Sequence, residues 1–216
     1  MPSGQNVDRP EAAVAVAEQY LGRERPLSAL VVVLVVSVFL GTFLATSLLP
    51  AIIIGVASLI LARAPIIQSC GTVHLRTDHS IDSILKSFTG PTPPVLVFQW
   101  GVADRVTSRE NTATYCISYL FGLRSVEITV HTQTTTVENG THQVELEVME
   151  NGRPWSTYTV TIYEQDDPAS IKYEYTANRR FGLRRVPQRI IANRYRDTAL
   201  TEQGYTVVER DEQYGI

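Results

Sequence analysis

The chain is poor in lysine and cysteine. Of its 19 basic residues only Lys86 and Lys172 are lysine. Its two cysteines, Cys70 and Cys116, are too few for a disulfide framework and lack the spacing of a metal site, so we interpret both as free thiols. The formal net charge of -3 gives no overall field that would attract nucleic acid. These features exclude a disulfide-rich scaffold and predict no nucleic-acid partner.

Sequence motifs for catalysis are also missing. There is no G-x-S-x-G motif, no glycine-rich phosphate loop and no cysteine with a recognisable histidine partner. His74, Asp78 and His79 come nearest to a metal cluster, but a strand before them would leave His79 beyond its end. We interpret these side chains as polar groups at a strand end. We therefore predict no catalytic residues, no metal and no cofactor.

Charge is absent between Arg25 and Arg63, where an apolar segment of 37 residues lies. As one helix this segment would be about 55 Å long, against a hydrocarbon core of about 30 Å. Two spans fit better, with a break near Thr46 to Pro50, where a capping hydroxyl precedes a proline. The sequence therefore predicts a two-helix transmembrane hairpin over residues 27–64.

Basic residues near the ends of this hairpin predict its orientation. Arg9, Arg23 and Arg25 precede the first span, Arg63 and Arg76 follow the second, and the connecting turn has none. Because arginine and lysine accumulate on the cytoplasmic side, both termini are expected in the cytoplasm. The predicted location is the cell membrane, as a multi-pass protein with the lipid bilayer as its partner.

The residues before the hairpin, 1–26, are predicted to form a cytoplasmic segment with a short helix over Glu11 to Leu21. Pro10 suits the start of this helix and Gly22 suits its end.

Residues 72–216 are predicted to form one soluble α+β domain. Thr72 to Thr77 alternates like a strand, and Ser80 caps a short helix whose apolar residues Ile81, Ile84, Leu85 and Phe88 share a face. Six further strands are predicted from alternation, β-branched content or continuous apolar character: Val95 to Trp100, Thr112 to Leu120, Val126 to Val137, Gln143 to Met149, Ser156 to Glu164 and Ile171 to Thr176. These strands are expected to form an antiparallel sheet.

Three turn signals separate the later strands. Asn151-Gly152 is a strong two-residue hairpin turn, and Asp166-Asp167 precedes Pro168. Asn139-Gly140-Thr141 has two interpretations, because Asn-Gly favours a hairpin turn and the tripeptide is also a glycosylation acceptor. We favour the turn because Asn-Gly is the best two-residue hairpin turn, whereas the acceptor pattern would matter only if the domain faced outward.

A long C-terminal helix is predicted from Pro187, which suits its first turn, to Gly204, which suits a left-handed residue after its end. Tyr205 to Glu209 is a candidate short edge strand.

This order of strand, short helix, antiparallel strands and long C-terminal helix resembles the helix-grip fold of the START-like superfamily (SRPBCC), which includes polyketide cyclase-like proteins. The resemblance implies a curved sheet of about seven strands that wraps the last helix and leaves a cavity. The segments FQWGVAD (Phe98 to Asp104) and RRFGLRRVPQR (Arg179 to Arg189) also resemble those of uncharacterised membrane-anchored proteins of halophilic archaea. The expected fold class is therefore α+β, a transmembrane hairpin followed by a helix-grip-like domain.

Five arginines crowd the start of the last helix: Arg179, Arg180, Arg184, Arg185 and Arg189. Cations at a helix N-terminus oppose the helix dipole, so their presence there indicates an anion or nearby carboxylates. We predict an anion or anionic lipid head-group site, with a solvated basic patch paired with acidic residues of the sheet as the alternative.

Aromatic residues crowd the predicted strands. Tyrosine and tryptophan combine an apolar body with a polar atom, so Trp100, Tyr115, Tyr158 and Tyr175 are candidates for lining a ligand cavity. The alternative is that they are ordinary core residues.

Two functions follow from these predictions. The first is a non-enzymatic, membrane-anchored cytoplasmic module that binds a small apolar or lipid-like ligand. The second is a structural or partner-interaction protein of the cell membrane without a ligand cavity. The sequence indicates no particular protein partner.

Overall fold

An antiparallel sheet of nine strands dominates the part of the chain that the computed structural model describes, residues 5–119, 123–137, 141–163, 168–182 and 185–215. Its strands are β1 (Gln5–Asn6), β2 (Gln68–Thr77), β3 (Arg105–Arg109), β4 (Thr112–Tyr119), β5 (Arg124–Val137), β6 (Thr141–Glu150), β7 (Arg153–Tyr163), β8 (Ala169–Ala177) and β9 (Thr206–Gly215). The five α-helices within these ranges are α1 (Glu11–Ala45), α2 (Leu48–Arg63), α3 (Ile81–Thr89), α4 (Val97–Trp100) and α5 (Val186–Thr201). The chain therefore has a sheet-dominated α+β fold.

Most strands lie in the sheet in the order in which they occur in the chain. β3 to β8 are successive neighbours, whereas β2 pairs with β8 and β9 pairs with the other side of β2. β1 pairs with β3 at the opposite edge. The strand that follows the α1–α2 hairpin is thus held between two antiparallel neighbours.

The alternation of buried and exposed side chains shows which face of the sheet the helices cover. In β8, Ile171, Tyr173 and Tyr175 are buried, whereas Lys172 and Glu174 point to the opposite face. Successive side chains of a strand alternate between faces, so the buried set marks the side on which the helices pack. α3 contacts β5 and β6 there, and α1, α4 and α5 pack against one another.

α1 and α2 form a helical hairpin that turns at Thr46 and Ser47, within the predicted range. α1 begins at Glu11 as predicted, but it continues through Gly22 and through the predicted boundary at residue 26. Its first turns belong to the core, because Ala13 and Ala17 are fully buried.

No helix in the described part of the chain combines the length and the apolar character needed to cross a membrane. α2 has 16 residues and is about 24 Å long, shorter than a hydrocarbon core of about 30 Å. α1 is longer, but its first turns pack against the sheet domain instead of extending the apolar segment. This finding overturns the predicted transmembrane hairpin over 27–64 and the predicted multi-pass location with both termini in the cytoplasm.

The segment Val95 to Trp100 was predicted to be a strand, but it is helical. A 3₁₀ helix over Pro94–Leu96 leads into α4, and Val95, Leu96, Val97 and Trp100 are buried. A short apolar run has no periodicity that separates a buried strand from a buried helix. The strand at this place in the sheet is β3, in which Val106 alone is buried. Six of the seven predicted strands are present, and β1, β3 and the candidate edge strand β9 bring the number in the described sheet to nine.

The turn between β6 and β7 is the predicted Asn-Gly hairpin. Asn151 and Gly152 both have positive φ, at 50° and 71°, and Glu150 pairs with Arg153 across the turn. The other two predicted turns fall on residues 138–140 and 166–167, which lie outside the described ranges.

The C-terminal helix and strand are joined by polar contacts. Gly204 has a φ of +84°, as predicted for the residue that ends this region, and β9 is longer than the predicted edge strand. Arg210 on β9 forms ion pairs with Asp197 on α5 and with Glu212, at 3.0 Å for the latter. Asn193 on α5 donates a hydrogen bond of 2.7 Å to Glu212. This network fixes β9 against α5.

Candidate functional site

A partly open cavity of about 810 Å³ lies between α5, the inner face of the sheet, the middle of α1 and the end of α2. It extends along the segment after β8 that leads into α5, and it reaches α4 on the other side. Its lining combines a strongly basic part with an apolar part.

Arginine dominates the basic part. Of the described residues, six arginines line the cavity: Arg63, Arg179, Arg180, Arg185, Arg189 and Arg196. Glu150 is the one acidic residue among the lining residues that are described. The cavity therefore carries a large excess of positive charge, although the chain as a whole has a net charge of -3.

Glu150 neutralises only part of this charge. It lies at the end of β6 and forms an ion pair with Arg179, in which both side chains are partly exposed. An exposed pair of this kind contributes about 0–1 kcal/mol, so it does little to hold the other arginines in place.

Arg189 is held deep in the site by two contacts. Its guanidinium carbon lies 4.5 Å from the centroid of the Phe181 ring, and its Nη1 donates a hydrogen bond to the buried Ser69 Oγ. Burial, and then the nearby guanidinium of Arg196, lower the pKa of Arg189 from its ordinary value. The lowered pKa indicates that the two cations repel each other in a poorly solvated place.

Arg196 lies two turns further along α5. Its guanidinium carbon is 5.9 Å from the centroid of the Phe98 ring, and its buried Nε has no hydrogen-bond partner among the residues that the structure describes. A buried N–H group without a partner costs free energy, which makes Arg196 an unusual residue to place at the wall of a cavity.

The apolar part comes from the sheet and from α4. Ile117, Ile128 and Trp155 line it from β4, β5 and β7, and Phe98 lines it from α4. Tyr20 of α1 stacks on Phe98 with ring centroids 4.5 Å apart, which fixes the Phe98 ring. The cavity thus presents aliphatic and aromatic surface as well as arginines, and the Phe98 ring itself contacts Arg196.

The helical repeat explains why α5 contributes two arginines to the same wall. Arg189, Ala192 and Arg196 are separated by three and four residues, so they lie on one face of the helix. Ala199 and Leu200, further along, are buried in the core. The first turns of α5 therefore border the cavity, and the last turn of α5 packs in the core.

The structure brings most of the predicted arginines together. Arg179, Arg180, Arg185 and Arg189 all line the cavity, whereas Arg184 lies outside the described residues. Arg63 and Arg196 were not predicted to be part of the arginine site. Arg196 follows Arg189 by seven residues, a spacing that places both on one face of a helix, so the sequence contained a signal for Arg196. It contained no such signal for Arg63, which is distant in the chain.

The four predicted aromatic ligand-binding residues lie elsewhere in the core. Trp100 Nε1 donates a hydrogen bond of 2.8 Å to the Pro93 carbonyl, and the Tyr115 hydroxyl donates one of 2.9 Å to the Pro91 carbonyl. Tyr158 and Tyr175 are close to each other, with ring centroids 6.0 Å apart. None of the four is among the described residues that line the cavity. Their role in ligand binding stays a prediction.

The described residues contain no group of three or more histidine, cysteine, aspartate or glutamate side chains that could hold a metal ion. His79 lies against the Tyr205 ring, with its Nε2 3.2 Å from the carbonyl of Gln203. These contacts give His79 a structural role.

A scan against models of known protein families finds no match, and a search of curated proteins finds none either. Among solved structures, an uncharacterised protein from Rhizobium leguminosarum is similar over 62% of this chain and 96% of its own, with 13% identity and a TM-score of 0.35. A protein from Rhizobium loti is similar over 63% and 98%, with 16% identity and a TM-score of 0.39. A conserved protein from Geobacillus kaustophilus is similar over 62% and 91%, with 8% identity and a TM-score of 0.38. These similarities carry no argument about function, and the START-like resemblance stays a prediction.

Proposed function

We propose that this chain binds a small amphiphilic anion, an organic molecule with an acidic group and an apolar body, in the cavity between α5 and the sheet. The observation that carries the proposal is the charge of the described lining residues, which include six arginines and one glutamate. No reaction is assigned to the site.

The volume of the cavity supports a small-molecule ligand. At about 810 Å³ it lies within the range of about 300–1,000 Å³ that is usual for such sites. A cavity of this size favours the ligand-binding hypothesis over the alternative of a partner-interaction protein without a cavity.

The mixed basic and apolar lining supports an amphiphile. Phe98, Ile117, Ile128 and Trp155 offer surface to an apolar body, and burial of that body contributes about 25 cal/mol per Å². The arginines would bind the acidic group through charge-assisted hydrogen bonds. The small apolar or lipid-like ligand predicted from the sequence is thereby narrowed to one with an acidic group.

Isothermal titration of the full chain with four naphthalene derivatives tests the proposal. Naphthoate, naphthalenesulfonate and naphthyl phosphate are anions, and naphthamide is a neutral compound of similar shape. We expect at least one anion to bind with 1:1 stoichiometry and about tenfold tighter than the amide, a difference of about 1.4 kcal/mol. If no anion binds tighter than naphthamide, the proposed function is wrong.

Two variants test whether the ligand binds in this cavity. Ala192→Trp fills the cavity without a change of charge and should abolish binding. Arg194→Gln removes an exposed cation from the same helix, outside the lining, and should leave the affinity unchanged. Equal affinities for both variants and the unmodified chain would locate the binding elsewhere.

A further inference from the structure

We infer that Arg189 and Arg196 form a subsite for a phosphoryl group, so that the acidic group of the ligand is a phosphate monoester. This inference rests on the proposed function and adds the chemical class of the ligand.

The first argument is uncompensated charge. Other partly buried arginines are satisfied within the fold, since Arg210 pairs with Asp197 and Glu212, and Arg179 pairs with Glu150. Arg9 instead donates hydrogen bonds to the carbonyl oxygens of Trp100 and Ala103. Within the described part of the chain, Arg189 and Arg196 form no ion pair. Arginine remains charged in proteins, and an enclosed charge without a counter-ion is unfavourable. A bound anion would supply the missing charge.

The second argument is that both guanidinium groups are held in place. The ring of Phe181 lies against Arg189 and the ring of Phe98 lies against Arg196. A guanidinium that contacts an aromatic ring is restrained in position, and its N–H groups remain available as hydrogen-bond donors. Arg189 uses one donor on Ser69, and Arg196 has at least its Nε unused.

The third argument is the space between the two side chains. Ala192 lies between them on the same face of α5, is only 8% exposed and lines the cavity. Its methyl group leaves room beside the helix that a larger side chain would fill. The subsite is therefore two restrained guanidinium groups on either side of a small residue.

The ligand chemistry follows from donor number and charge. Two guanidinium groups carry two positive charges and up to ten N–H donors. A carboxylate offers two oxygens and one charge, whereas a phosphate monoester offers three terminal oxygens and a charge of about -1.5 to -2 at pH 7. The phosphate monoester matches the pair better in both respects.

Comparison of the three anions on the full chain tests this inference separately from the proposed function. We expect naphthyl phosphate to bind at least about tenfold tighter than naphthoate and naphthalenesulfonate. If either of these binds as tightly as naphthyl phosphate, the phosphoryl subsite is wrong, although anion binding in the cavity still holds.

Conservative variants test the two residues. Arg196→Lys and Arg189→Lys keep the positive charge but lose the planar fork of donors, so each should weaken naphthyl phosphate binding by about tenfold and naphthoate binding by less. Arg194→Lys, exposed on the same helix, should change neither affinity. Thermal unfolding confirms that each variant is folded. Equal losses for both ligands would contradict a phosphate-specific role.

The pH dependence gives an independent readout. The second pKa of a phosphate monoester is about 6, so naphthyl phosphate should bind tighter at about pH 7.5 than at about pH 5. Naphthoate is ionised throughout this range and should show a flat profile. The same flat profile for naphthyl phosphate would contradict recognition of the dianion.

The phosphoryl group could be carried by a water-soluble ester or by a lipid, and competition against naphthyl phosphate distinguishes these sources. The competitors are glycerol 3-phosphate and the monomeric short-chain lipid dihexanoyl phosphatidic acid. Displacement by either competitor supports the subsite and identifies the source. Failure of both to displace naphthyl phosphate would overturn the inference.

Discussion

The side chain of Tyr175 lies over Gly71 on the neighbouring strand, where the two residues are paired between β8 and β2. A Cβ atom at residue 71 would lie 2.9 Å from the Tyr175 hydroxyl oxygen and 2.7 Å from the Asp211 carbonyl oxygen. Contacts this short are repulsive, and the backbone of β9 leaves little freedom to relieve them. Glycine at residue 71 therefore permits both the position of the Tyr175 ring and the close approach of β9.

We predict that Gly71→Ala lowers the free energy of unfolding by about 1–3 kcal/mol, as expected for overpacking. Chemical denaturation measures this change. The control is Gly22→Ala in α1, where an added Cβ meets nothing within 4 Å and should stabilise the helix by about 0.5–1 kcal/mol. Equal effects of the two substitutions would show that the close approach at Gly71 is not sterically limiting.

A second prediction concerns the attachment of α1 to the sheet domain. Ala17 is fully buried, and a Cβ atom at Gly101 would lie 2.9 Å from that of Ala17, so no space remains between them. We predict that Ala17→Leu destabilises the chain by about 1–3 kcal/mol. Ala15→Leu, at an exposed position of the same helix, should have little effect. If both variants unfold alike, the first turns of α1 are not part of the core.

A third prediction concerns Glu150, which is the acidic neighbour of the bound anion in the proposed site. Glu150→Gln removes the negative charge that competes with the ligand for Arg179. We predict that naphthyl phosphate binds a few-fold tighter to this variant, which corresponds to up to about 1 kcal/mol for a partly exposed charge. Titration calorimetry at low salt gives the comparison. Glu145→Gln, exposed on the opposite face of β6, is the control and should not alter the affinity. A weaker affinity in Glu150→Gln would mean that Glu150 itself contacts the ligand.

A fourth prediction concerns Glu212 and acid stability. Burial opposes the ionisation of Glu212, but hydrogen bonds from Tyr214, Asn193 and Arg210 outweigh it and lower the pKa below its ordinary value of 4.5. A lowered carboxyl pKa means that the folded state holds the ionised form. The stabilisation is therefore present above about pH 4.5 and is lost as the pH falls through the folded-state pKa.

Urea denaturation between about pH 3 and about pH 7 checks the fourth prediction. The unmodified chain should lose stability below about pH 4.5, and Glu212→Gln should lose less over the same range. Glu209→Gln, exposed on β9, is expected to follow the unmodified chain. An unchanged pH profile for Glu212→Gln would rule out Glu212 as the titrating group.

Local patterns predicted the sheet where alternation is strong. The buried Val144, Leu146 and Val148 of β6 alternate with polar residues, and Ser80 caps α3 by accepting a hydrogen bond from the Ser83 amide at 3.4 Å. The prediction of a strand over Val95 to Trp100 was wrong because a continuous apolar run has no periodicity that distinguishes a strand from a helix. The prediction of a transmembrane hairpin between Arg25 and Arg63 was wrong for another reason. The composition of this apolar segment gives its length but not how much of the flanking helix packs against the domain.

The site was only partly predictable because it combines residues that are distant in the chain. The arginines after β8 are adjacent in sequence, so their excess charge was visible without a structure. Arg63 and Phe98 reach the same cavity from α2 and α4, and only the topology brings them there. Composition also does not decide which aromatic residues face a cavity. Trp100 and Tyr115 use their polar atoms on backbone carbonyls of the proline-rich loop instead.

Arg63 is both the last residue of α2 and part of the cavity wall. A ligand that contacts it therefore contacts the helical hairpin as well as the sheet domain. If the hairpin adopts two orientations that differ in their affinity for the ligand, occupancy and orientation alter each other's equilibrium by the same factor.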